Sequence, residues 1–191
     1  MSEQEFEFEK VTTRGGDGGS SFIYSGEKYS KDDITFAAVG DIDELSSALG
    51  LGRSWLDQYA ADTQLGPVLE GIQQELISLG GLVATAPNHE NYALIPPIHE
   101  DSWRRIETLQ KDLMSRTTIG DRFILPGEHE GSARLDMARS ICRRAERTLV
   151  SFIRTRYRTD LYDCQRYLNR ISDYLFVLAR YVEQTCAPHS S

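Results

Sequence analysis

Leu135-Asp136-Met137-Ala138-Arg139-Ser140-Ile141-Cys142-Arg143-Arg144-Ala145-Glu146-Arg147-Thr148-Leu149 decides how this chain is built. At 100° per residue, Leu135, Ala138, Cys142, Ala145 and Leu149 align as one apolar stripe, the pattern of an amphipathic helix packed into a core. Arg139, Arg143 and Arg147 recur at i, i+4 and i+8 outside that stripe, and Glu146 stands where it can orient a guanidinium. Residues 134 to 158 hold eight arginines against two acids, Asp136 and Glu146, in a chain of formal net charge -8. Two readings of the ridge follow. It is either a solvated, salt-bridged helix face or a site for a small anion; guanidinium forks match phosphate oxygens in pairs, so the anion would be a polyphosphate.

Working outward, the neighbouring segments are helical too. Phe36, Val39, Ile42, Leu45, Leu49 and Leu56 predict a helix over about 36–56, with Asp41, Asp43 and Glu44 off the apolar face. Val68, Leu69, Ile72, Leu76, Leu79 and Val83 predict a second over 65–83, before Pro87 and the Pro96-Pro97 loop. Trp103, Ile106, Leu109 and Leu113 predict a third over 100–115. The arginine helix spans about 131–154, and Leu161, Leu168, Ile171, Leu175, Leu178 and Val182 give a last helix over 160–184. Its other row reads Asn169, Asp173, Phe176 and Arg180, a face that lines a pocket or meets water. No segment reads as a strand. The fold class is all-α, a five-helix bundle in a single domain over 1–191, with an arm over 1–33 and the bundle over 34–185.

Two stretches break the helical pattern. Thr13-Arg14-Gly15-Gly16-Asp17-Gly18-Gly19-Ser20-Ser21 is either a flexible arm or a loop whose backbone N–H groups and hydroxyls wrap a phosphate, with Lys31 within reach. It is neither a Walker loop nor a dinucleotide fingerprint, because no Gly-Lys-Ser/Thr follows and no strand and helix flank it. In Phe123-Ile124-Leu125-Pro126-Gly127 the proline and glycine force a turn, and the residues alone favour an apolar plug at the bundle end.

Composition narrows the function. Net charge -8 and a pI near 5.0 argue against general nucleic-acid binding, and no apolar run reaches membrane-spanning length. The acidic start has neither a signal core nor transit-peptide character, so the expected location is the cytoplasm, or the mitochondrial matrix if a presequence is missing. Cys142, Cys164 and Cys186 lack CxxC spacing and read as reduced thiols, and His89, His99, His129 and His189 are too scattered to build a metal site.

The blocks Thr13 to Ser21, Lys31-Asp32-Asp33, Gly40 to Gly50, Phe123 to Gly127, Ala138 to Arg147 and Tyr167 to Phe176, in that order, resemble the PduO-type ATP:cob(I)alamin adenosyltransferases. The resemblance implies a homotrimer with ATP and the corrinoid bound at subunit interfaces, Mg²⁺ accompanying ATP, and transfer of the 5'-deoxyadenosyl group to cob(I)alamin with release of triphosphate. By motif match, Thr13, Arg14, Gly15, Gly16, Ser21 and Lys31 would wrap the phosphates, and Arg143, Arg144, Glu146, Arg147 and Asn169 would complete the nucleotide site. Asp43 would pair with Arg139 of a neighbouring subunit, and Phe123 would abut the corrin's lower face, easing reduction of cob(II)alamin. A reductase and a B12-dependent mutase are the implied partners. The alternative is a non-catalytic paralogue that binds ATP or adenosylcobalamin and acts as a carrier or a partner of such a mutase. Four positions depart from the family pattern. Gly15 stands where threonine is common, Gly18 where a charge is common, Arg134 for a small residue and Asp136 for a histidine.

Overall fold

The computed structural model describes residues 12–121 and 123–186; the acidic start and the tail beyond Cys186 lie outside them. Five helices form the bundle: α1 Ile34–Tyr59, α2 Leu65–Val83, α3 Glu100–Ser115, α4 Glu130–Arg156 and α5 Tyr162–Cys186. Short 3-10 turns, Glu90–Leu94 and Thr159–Leu161, sit in the α2–α3 and α4–α5 connections. The expected helices are all present, with α1 and α4 longer than the apolar periodicity suggested. No described helix is long and apolar enough to cross a membrane.

The arginine helix α4 lies between α1 and α5, while α2 packs on α1 and α3 on α5. Leu135, Ala138, Cys142, Ala145 and Leu149 are all fully buried, as their spacing predicts. Burying such a stripe removes the apolar area from water and leaves α4 one rotation about its axis. Helices α1 and α4 approach closely at two glycines: an added Cβ would lie 3.1 Å from Leu135 Cδ2 at Gly52 and 2.5 Å from the Trp55 ring at Gly131. The Cys142 and Cys164 thiols are buried and free, and burial pushes Cys164 up to about 12.

One expectation fails. The arm contains strands β1 Ser20–Phe22 and β2 Lys28–Ser30, paired antiparallel with Ser21 opposite Tyr29. Three-residue strands with no alternating apolar pattern leave no periodic signal, and the hairpin instead depends on a turn with Gly26 at φ +88°.

The hairpin is tied to the bundle through Asp33. Its carboxylate caps α1 by accepting from the Thr35 N–H at 2.8 Å and pairs with Arg156 Nη2 at 2.6 Å, while Arg156 also lies over the Tyr29 ring. Burial opposes ionisation of this carboxyl, but the hydrogen bonds from Thr35 and Arg156 outweigh it and hold the group down to about 2. A folded pKa below the unfolded one stabilises the protein fully above about pH 4, and that gain is lost as pH falls towards 2. Asp33→Asn keeps a side-chain cap but removes the charge. Urea denaturation should find it about 1–2 kcal/mol less stable at pH 7, with the gap closing between about pH 4 and pH 2. A gap unchanged at pH 2 would show that the charge is not what Asp33 contributes.

Candidate functional site

The ridge emerges as the helical angles predict. Arg143 and Arg147 are exposed, and Arg139 is half-buried. Arg139 and Arg143 line one cavity with Gln110 of α3 and Ser172, Asp173 and Phe176 of α5, so the polar row of the last helix faces a pocket along this stretch. Arg147 Nη1 donates to the Arg143 carbonyl at 3.0 Å. Among the described residues neither Arg143 nor Arg147 has a carboxylate partner, which leaves both charges available to a ligand. Glu146 likewise orients no guanidinium among the described residues. Asn169 is half-buried, its Oδ1 accepting from Arg170 Nη1 at 2.6 Å, and Arg170 is itself held by Glu107.

Arg144 behaves differently. It turns towards α1, donating to Asp41 at 3.0 Å and to Glu44, and these carboxylates raise its pKa. Thr148 adds a hydrogen bond to Asp41 at 2.6 Å. Asp43, two residues from Asp41, is carried 200° round α1 and so points away from α4. It is exposed and lines an apolar groove between α1 and α2 with Tyr24, Ile77 and Gly80.

The Gly-rich loop is a folded turn. Arg14 has φ +55°, Asp17 N–H donates to the Arg14 carbonyl at 3.2 Å, and Gly19 N–H to the Gly16 carbonyl at 3.2 Å. Lys31 N–H donates to the Gly19 carbonyl at 2.9 Å, and the Lys31 side chain lies across Gly16, where an added Cβ would be 2.7 Å from Nζ. Thr13, Arg14, Gly15, Gly16 and Lys31 are therefore brought together, while Ser21 stands on β1 opposite Tyr29. A Cβ at Gly15 would meet only Thr13 Oγ1 at 3.7 Å, so a threonine would fit there. The glycine forgoes a donor and solves no crowding.

Phe123 is not a plug. The residue is fully exposed, beside an exposed Leu125 and a half-buried Ile124. The segment leading to it is pinned at Thr118, whose N–H donates to Gln184 Oε1 at 3.0 Å and whose carbonyl accepts from Gln184 Nε2 at 2.6 Å. The two charged departures have local partners. Arg134 pairs with Glu130 at 2.5 Å, and Asp136 is buried between Arg139 and Arg180. Asp136 and Arg180 were not legible as a buried pair, because their helical positions put both on the polar faces of α4 and α5. Arg156 as the anchor of the loop was also missed; no periodicity marks a contact between a hairpin and a distant helix end.

The model of the family described as cobalamin adenosyltransferase matches residues 11–182. The chain belongs to that family. It is 36% identical over 180 residues to a corrinoid adenosyltransferase of Bos taurus, covering 90% of this chain and 70% of that protein. Against one of Citrobacter freundii it is 35% identical, covering 92% and 96%. A solved variant of the PduO-type ATP:corrinoid adenosyltransferase of Lactobacillus reuteri, complexed with cobalamin and ATP, superposes with TM-score 0.80 at 31% identity, covering 92% of this chain and 94% of that one. Adenosyl transfer to a corrinoid is thus the enzyme class of this chain.

Exposure of Phe123 generates a prediction. Phe123→Ala should change stability by no more than about 0.5 kcal/mol, since no packing is lost. ATP affinity should persist, while turnover from cob(II)alamin under a reductant should fall steeply and largely return with pre-reduced cob(I)alamin. A melting temperature lowered as for a core truncation would place the ring in the fold's interior after all.

Proposed function

We propose that the chain, as a single domain, transfers the 5'-deoxyadenosyl group of ATP to cob(I)alamin and releases triphosphate, at sites completed between the subunits of a homotrimer. The carrying observation is a separation. The Thr13–Lys31 loop is anchored at Arg156, thirteen residues beyond Arg143 on α4, a rise of about 20 Å and a rotation that puts the two on opposite sides of the helix. One chain cannot close both donor sets on one triphosphate. A head-to-tail contact, loop to ridge, supplies the missing half, and a ring of three makes every junction equivalent. Asp43 and Arg139 fit the same arrangement, since each points off the α1–α4 contact and they do not meet within a chain.

The chemistry asks little of the protein beyond alignment. The cobalt of cob(I)alamin is itself the nucleophile; its electron pair forms the Co–C5' bond as the C5'–O bond breaks, and triphosphate carries the charge away. Arg143 and Arg147, with the loop N–H groups and Lys31, stabilise that leaving charge, and fixing cobalt in line with C5' makes the encounter effectively intramolecular. Arg144 contributes by holding α4 on α1. Glu146 and Asn169 stand beside the ridge at the nucleotide end. Among the described residues no three His, Cys, Asp or Glu side chains converge on a metal position. Mg²⁺ would enter as the companion of ATP and would supply further positive charge to the leaving triphosphate beside Arg143, Arg147 and Lys31. Phe123 faces the corrin's lower side and keeps an axial ligand away, which favours the electron delivered by a reductase. The product serves a B12-dependent mutase, in the cytoplasm or mitochondrial matrix.

Two measurements test this. Following the visible spectrum as ATP meets reduced cobalamin, Arg143→Lys should keep the charge but lose the fork, weakening transition-state stabilisation by about 1.5–3 kcal/mol with little change in stability. Wild-type kinetics in that variant would remove Arg143 from the site. Asp43→Arg should impair assembly or activity, and adding Arg139→Asp should partly restore it. Full activity in a protein that sediments as a monomer at micromolar concentration would overturn the shared site.

A further inference from the structure

The Asp136 carboxylate is 3% exposed, and its two oxygens serve different arginines. Oδ1 accepts from Arg139 Nε at 3.1 Å, and Oδ2 accepts from Arg180 Nη2 at 2.6 Å. Arg180 reaches across from α5, is 4% exposed, and lies 5.6 Å from the centre of the Phe176 ring. Its Nε is 3.0 Å from Glu183 but off the line of a hydrogen bond, so it is a close ion pair only. Arg180 also floors the cavity formed by Thr118, Ile119, Gly120, Asp121 and Ile124, the loop that carries Phe123.

Arg139 has one N–H to give from Nε and a fork of two nitrogens at its tip. With Nε bound to Asp136, the two terminal nitrogens are left for another partner at the edge of the cavity that Arg139 lines. A buried guanidinium demands a counter-charge, so Arg180 in turn fixes the rotamer of Asp136. Arg139 is also the first arginine of the ridge, one turn nearer the Phe123 loop than Arg143, because α4 begins at Glu130 directly after that loop.

We infer that Asp136 is a positioning residue for the corrinoid end of the site: braced by Arg180, it holds Arg139 by Nε so that the guanidinium tip meets the neighbouring subunit beside the Phe123 loop. This rests on the shared-site reading above. It predicts a split between substrates, since Arg143 and Arg147, which face ATP, owe nothing to Asp136.

The test is a double-mutant cycle read as separate KM values for cob(I)alamin and ATP. Arg139→Ala and Asp136→Asn should each raise the corrinoid KM about tenfold, the size of one charge-assisted hydrogen bond. The double variant should match Arg139→Ala alone, with the corrinoid KM raised several times more than the ATP KM throughout. Glu183→Gln removes Arg180's other counter-charge without touching Arg139; it should lower the melting temperature and leave both KM values in place. If Asp136→Asn does not fold, Asp136→Asn with Arg180→Met removes the buried charge along with its partner and carries the same expectation. An unchanged corrinoid KM in Arg139→Ala would overturn the shared-site role of Arg139 and the positioning role with it. A raised KM in Arg139→Ala but not in Asp136→Asn would overturn the positioning role alone, as would an equal effect of Asp136→Asn in the Arg139→Ala background.

Discussion

Burial of the Leu135, Ala138, Cys142, Ala145 and Leu149 stripe between α1 and α5 fixes the rotation of α4, and the functional side chains inherit their directions from it. A helix seated by five fully buried residues has no second rotation of comparable energy. Arg144 then faces α1, Arg139 and Arg143 face the cavity edged by α5, and Arg156 faces the hairpin. One apolar constraint thereby sorts the cations of a single helix into separate tasks.

The sorting is visible in what each arginine touches. Arg144, Arg156 and Arg180 are satisfied within the subunit, by Asp41 and Glu44, by Asp33, and by Asp136. Such pairs add modest stability where exposed and define geometry where buried. Arg143 and Arg147 have no carboxylate partner among the described residues. A site for a leaving triphosphate needs this division: fixed scaffolding behind, unpartnered forks in front, arranged before the reaction so that nothing has to reorganise as charge develops.

The exposed elements tell a matching story. Phe123, Ile77 and Tyr24 stand in water although each is large and apolar, and Asp43 lies in the groove that Ile77 and Tyr24 border. Scattered apolar exposure needs no account, but an apolar groove beside an exposed carboxylate fits the shared interface proposed above. Phe123 differs in following a segment that Gln184 pins at Thr118, five residues before it.

The amino-acid sequence by itself determined the five helices, the stripe that seats α4 and the ridge that results, because 3.6-residue periodicity is local and burial follows from it. It also held the family, since the blocks from Thr13 to Phe176 are contiguous runs. It was silent on the hairpin, whose short strands rest on a turn, and the residues alone read Phe123 as a plug, because an apolar residue in a loop reads the same whether packed or exposed. The bracing of Asp136 by Arg180 joins positions 44 residues apart, each on a face that its own helix leaves polar. Only the packing of α5 against α4 could decide that these two charges leave water together, since a charge is buried only where its counter-charge arrives from elsewhere in the fold.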